Sequence, residues 1–200
     1  GLVWIKAREA SEHHGLFDKT RGANEWLSSN RDDEESTVTG NVTAFNSDGY
    51  SIGTAARVNE DTFKNVGWTF RKAPGFFDVV TYTGTGANQD VPHNLGCVPG
   101  MVIIKGTSND DPWFIYHKDL DSSSPEDYNL RMSTATRQLK TTVWNGTPTS
   151  TDIKLGTYSD VNGVVSSVGK SYVAYVFADG DDADAQIFGD DGDESIIKCG

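Results

Sequence analysis

The chain has 200 residues, with 17 basic against 29 acidic side chains and a formal charge of −12. That balance argues against a nucleic-acid binder, which needs a basic face to displace counterions from phosphate, and against docking on an anionic membrane. No apolar run approaches the roughly 20 residues of a membrane-crossing helix, so no membrane insertion is expected. Twenty-one Gly with 5 Trp, 7 Tyr and 9 Phe point instead to short strands joined by tight turns.

In chain order, the first predicted strand is Leu2–Ala7. Residues 21–29 read as a helical turn. Ser47-Asp48-Gly49-Tyr50 is a strong turn signal, because Gly takes positive φ at little cost. Residues 64–71 follow as a strand in which Val66, Trp68 and Phe70 alternate with Gly67, Thr69 and Arg71, the period of a half-buried strand. Phe77–Thr83 is next. Asn94-Leu95-Gly96 and Val98-Pro99-Gly100 then punctuate the entry to a strand at 101–105. Strands at 113–117 and 172–178 complete the series. Val173-Ala174-Tyr175-Val176-Phe177 is apolar throughout and reads as a central strand covered on both faces.

The strands repeat. Gly1-Leu2-Val3-Trp4-Ile5-Lys6 matches Gly100-Met101-Val102-Ile103-Ile104-Lys105, and Val66-Gly67-Trp68-Thr69-Phe70 matches Val173-Ala174-Tyr175-Val176-Phe177. Between these anchors, Phe45-Asn46-Ser47-Asp48-Gly49 is matched with Trp144-Asn145-Gly146-Thr147. Each copy spans roughly 100 residues, the size of one sandwich domain. The expected fold is all-β, as tandem antiparallel β-sandwich domains of lectin-like or jelly-roll-like form. The expected boundaries are 1–73 for a first repeat lacking its N-terminal strands, 74–178 for a second, complete repeat, and 179–200 for an acidic loop and the start of a further strand. This phase predicts a longer parent with tandem copies. The alternative is that residues 195–200 pair back into the first repeat.

Few residues suggest chemistry. The sequence lacks a Gly-x-Ser-x-Gly elbow, a Cys-x-x-Cys pair and a His-Glu-x-x-His motif, so no catalytic residue is assigned. His93 lies in a turn and is expected to bond backbone. His117 reads as a strand residue, and adjacent His13 and His14 point to opposite sides of a strand. Cys97 and Cys199 are expected as free thiols. The acidic run offers Asp181, Asp182, Asp184, Asp190, Asp191 and Asp193 as candidate Ca²⁺ ligands near Gly turns, although the spacing is not that of an EF-hand. The competing reading is a solvated, self-repelling loop. Trp4 and Trp68 read as core, since Ile103 and Tyr175 replace them in the second copy. Trp26, Trp113 and Trp144 lie nearer turns and are the candidate ligand-contact aromatics.

Several blocks in order, Gly1–Arg8, Leu16–Asn30, Thr43–Gly53, Gly67–Gly86 and His93–Lys105, resemble a domain of unknown function that recurs in virion structural and tail-fibre proteins of marine bacteriophages, cyanophages among them. His93-Asn94-Leu95-Gly96 followed by Pro99-Gly100 is its most recognisable part. The resemblance implies a β-sandwich module of a phage particle or appendage. Its expected location is the virion. Its expected partners are other virion protein copies in a homo-oligomer, and a host surface glycan or protein. It carries no cofactor and no catalytic residue onto this chain. The alternatives are a capsid-surface decoration or head-fibre protein, and a carbohydrate-binding or carbohydrate-cleaving domain. Residues 179–194 depart from the family pattern and read as a local insertion.

Overall fold

The computed structural model describes residues 1–199 and is nearly all β. The first repeat runs β1 (Leu2–Ala7), β2 (Gly15–Asp18), β3 (Glu25–Trp26), β4 (Ser36–Thr37), β5 (Val42–Phe45), β6 (Tyr50–Ile52), a single helical turn α1 (Ala56–Asn59), and β7 (Asn65–Phe70). The second runs β8 (Phe77–Thr83), β9 (Gln89–Pro92), β10 (Pro99–Gly106), β11 (Phe114–His117), β12 (Tyr128–Arg131), β13 (Gln138–Leu139), β14 (Asp152–Leu155), the turn α2 (Ser159–Asn162), the hairpin β15 (Val164–Val165) and β16 (Val168–Gly169), and β17 (Ser171–Ala178). The helical turn expected at 21–29 is not formed. Those residues make turns and β3, because Leu27 bridges Leu16 and extends the sheet beyond β2.

Strand pairing follows one plan twice. β1 lies between β2 and β7, with Val3 opposite Phe17 and Trp4 opposite Trp68. β10 lies between β11 and β17, with Val102 opposite Tyr116 and Ile103 opposite Tyr175. On the outer side β3 pairs β4, as β12 pairs β13. Smaller features repeat as well. Lys6 Nζ donates to the carbonyls of Ala7 and Ala10, and Lys105 Nζ donates to those of Gly106 and Asn109. The lysine shared by the two sequence blocks therefore satisfies the turn that follows its strand. Asn59 Nδ2 donates to Gly53 O as Asn162 Nδ2 donates to Gly156 O, each at 2.8 Å. A Cβ on Gly53 would meet Gly40 backbone and one on Gly156 would meet Thr142 backbone, which accounts for glycine at both positions.

One sequence match is corrected. Asn46 N–H donates to Gly49 O and Thr149 N–H donates to Asp152 O, so Asn46 corresponds to Thr149. Val42, opposite Ile52, then corresponds to Trp144, opposite Leu155. The turn geometry of Asn-x-x-Gly and Thr-x-x-Asp is equivalent while the residue types differ, so the sequence match of Phe45-Asn46 with Trp144-Asn145 is out of register.

Three apolar layers hold the fold. Between the two sheets, Leu2, Leu16 and Leu27 pack with Phe77, Val79, Ile103, Trp113, Tyr175 and Phe177. The repeats thus turn the same faces of their sheets, β1 with β2 and β10 with β17, into one shared core. The outer face of the second sheet carries the largest layer, with Val91, Leu95, Cys97, Ile153, Leu155 and Val161 over Val102, Ile104, Ala174 and Val176. The outer face of the first carries only Val3, Ile5, Phe17, Val42 and Val58 as buried members. A polar cluster crosses the shared layer. Tyr175 Oη donates to Asp18 Oδ2 at 3.0 Å and accepts from Arg21 at 3.2 Å, while Arg21 pairs with Asp18 and Glu35 at 2.5 Å each. Burial opposes the charge on Arg21, but Tyr175, Asp18 and Glu35 outweigh it and raise its pKa.

Residues 195–199 form neither the further strand nor the pairing with the first repeat. Cys199 N–H and Lys198 Nζ bond Asp179 and Asp181, so the segment folds back onto the acidic run. Gly200 lies outside the described residues.

Candidate functional site

The site begins with an asymmetry between equivalent strands. β17 is covered on its outer edge by β8, with Tyr175 opposite Val79 and Phe177 opposite Phe77. β7, its counterpart, pairs among the described residues with β1 alone. Trp68 is accordingly 46% exposed where Tyr175 is 1% exposed. β14 is paired by β9 while β6, its counterpart, pairs only with β5, and Ile52 is 40% exposed where Leu155 is sealed. Next to these edges, where the turn leading into β6 faces the Phe70 end of β7, lies a cleft of about 660 Å³, lined by Gly1–Val3, Lys19, Thr20, Phe45, the Asn46–Gly49 turn and Thr69–Lys72. Lys19, Arg71 and Lys72 stand on its rim together with Asp48, and Lys72 is paired with Asp78 at 2.6 Å.

The aromatics expected to meet ligand are placed differently. Trp113 is buried in the shared core, its Nε1 donating to Ser28 O and Arg31 O at 3.0 Å each. Trp144 is buried beside Tyr116 and donates to Tyr128 O. Trp26 is half-buried, and the Arg57 guanidinium lies 3.8 Å from its ring centre, so one face is already taken. Nearness to a turn does not expose these indoles, since each reaches back to donate to a carbonyl of a neighbouring segment. Trp68, read as core because Tyr175 is core, is the exposed indole. Trp4 is half-buried against it at 5.9 Å.

The aspartates proposed for calcium do not converge. Asp181 pairs with Lys118 and Lys198. Asp182 caps the turn at 183–185 by accepting from Asp184 N–H, and its other oxygen accepts from Val98 N–H at 3.1 Å. Asp184, Asp190, Asp191 and Asp193 join no group of three or more His, Cys, Asp or Glu among the described residues.

The remaining titratable candidates are hydrogen-bonded or buried. His93 Nε2 donates to Thr149 O at 3.0 Å and Nδ1 accepts from Leu95 N–H, and burial holds its pKa below the ordinary value. His14 Nδ1 accepts from Trp4 Nε1 and is lowered by burial too. His13 bonds Asn30, and His117 Nδ1 accepts from Asp119 N–H. Cys97 and Cys199 are separate buried thiols, each pushed up to about 11, chiefly by burial.

The family model of DUF7483, a domain of unknown function, matches residues 1–182. The chain belongs to the DUF7483 family. One DUF7483 domain therefore spans both repeats and ends inside the acidic run. Neither a curated protein nor a solved structure matches the chain.

Proposed function

We propose that the chain is a non-enzymatic structural module of a bacteriophage particle, part of a tail fibre or similar appendage that serves assembly and host-surface adhesion. The observation that carries the reading is the ordered series of blocks from Gly1 to about Phe177, which resembles the domain recurring in virion and tail-fibre proteins. The site chemistry supports it. The imidazole of His93 is committed to backbone, both thiols are buried and protonated, and two of the three candidate indoles are packing groups. The open β6 and β7 edges present backbone groups to another strand, a means of assembly rather than of catalysis. Weak contacts per module become strong when copies are linked in an oligomer.

Mass spectrometry and electron microscopy of purified particles of a phage encoding the chain test this. The expected result is the chain in the particle and stacked β-sheet density in an appendage. Its absence from particles, its density on the capsid lattice, or release of oligosaccharide from host polysaccharide by the pure protein would contradict the reading.

A further inference from the structure

The second repeat shows what the first one lacks. Residues 76–99 make up its leading segment, which covers the outer edge of β17 with β8 and the edge of β14 with β9, then inserts Leu95 and Cys97 into the outer core. Three anchors hold it. Asn162 accepts from Thr85 N–H at 2.8 Å and donates to Ala87 O. His93 N–H donates to Thr151 O, and its ring donates to Thr149 O. Tyr82 Oη donates to Val161 O at 2.6 Å.

The receiving surface is present in the first repeat without its occupant. Asn59 stands for Asn162 and makes the same bond to its glycine carbonyl, while the rest of its side chain faces solvent. The Asn46–Gly49 turn stands for Thr149–Asp152, and it lines the 660 Å³ cleft where the counterpart of His93 to Cys97 would lie. Val58 stands for Val161 and is already buried. Charge agrees in part: residues 76–99 carry Asp78 and Asp90 and no lysine or arginine, against Lys19 and Arg71 on the rim, while Lys72 is already paired with Asp78 and Asp48 also lines the cleft.

We infer that the β6 and β7 edges and the cleft next to them are the seat of a leading segment of the residue 76–99 type, delivered at the Gly1 end of β1 as Pro99 delivers it to Gly100. The incoming strand runs antiparallel to β7, with its Val79 equivalent opposite Trp68 and its Phe77 equivalent opposite Phe70. Its β9 equivalent pairs β6, with the Val91 equivalent opposite Tyr50. A strand added this way gains main-chain hydrogen bonds from the edge and specificity from alternate side chains. The inference takes the same β6 and β7 edges that the virion reading uses for assembly, but it stands without that reading, since it concerns only how a repeat is completed.

The test fuses a copy of residues 74–99 directly ahead of Gly1 in the full chain and follows amide hydrogen exchange. A second fusion carries the same residues scrambled, and its melting transition shows that the parent fold tolerates an extension. The expected result is that exchange in Asn65–Phe70 and Tyr50–Ile52 slows by about 100-fold with the native segment and not with the scrambled one. Introducing V79D and L95D into the fused copy alone removes the protection. Unchanged exchange in β6 and β7 with the native segment, while the scrambled fusion still folds, overturns the inference. Full protection by a free peptide of residues 74–99, with none in the fusion, overturns delivery at the Gly1 end.

Discussion

Trp113 and Trp68 exchange the environments that their sequence neighbourhoods imply, and mutation separates them. Trp113→Ala leaves a large cavity in the shared core and orphans contacts to Ser28 and Arg31, so a loss of about 3–5 kcal/mol is expected in urea unfolding. Trp68→Ala removes a half-exposed ring and costs about 1 kcal/mol or less. The reverse order would contradict the burial described above. His93 supplies a pH signature. Its folded pKa is depressed, chiefly by burial, which outweighs the hydrogen bond to Thr149 O, and the Leu95 N–H bond to Nδ1 requires that nitrogen unprotonated. The unfolded chain takes up the proton as pH falls below about 6.5 and the folded chain does so later. Stability is therefore full above that value and declines below it, with His14 acting in the same sense. Thermal melts from about pH 7.5 to about pH 5.5 are expected to show a falling Tm, with a shallower fall in His93→Gln; an unchanged slope would contradict this account.

At the level of elements, the central strands were legible in the sequence because period-two alternation and continuous apolar runs report burial directly. Leu2–Ala7, Phe77–Thr83 and the apolar run in β17 are such cases. The short pieces were not legible. α1 and α2 are one turn each, too short to show helical periodicity, and are fixed by tertiary bonds from Asn59 and Asn162 to their glycines. The open edge is half legible: the first copy shows no counterpart of the strands that lead the second, but matching Trp68 to Tyr175 hides that only Tyr175 has a covering strand among the described residues. A residue's burial in a sheet depends on the next strand as much as on its own pattern. The polar cluster is illegible in the sequence, because Tyr175 lies far along the chain from Asp18 and Arg21 and meets them only when the sheets stack. Breaking it has a predictable cost. Asp18→Ala leaves Arg21 charged and short of a partner in a buried place, and is expected to lose about 3–5 kcal/mol. Tyr175→Phe removes one bridging hydroxyl and costs about 1 kcal/mol. Equal effects from the two variants in denaturant titrations would show that the ion pair is not the centre of the cluster.

Across the whole molecule, the two repeats are coupled by the layer they share rather than joined as beads. Leu2, Leu16 and Leu27 lose their cover if the second sheet unfolds, and Trp113 and Tyr175 lose theirs if the first does. The first repeat also has the thinner outer core, so it has little to stabilise it alone. Scanning calorimetry tests this stacking most directly. A single transition is predicted, with calorimetric and van't Hoff enthalpies in agreement and with the whole peak moving to lower temperature in Asp18→Ala. Two resolved transitions, with Asp18→Ala moving only the first, would contradict a common core.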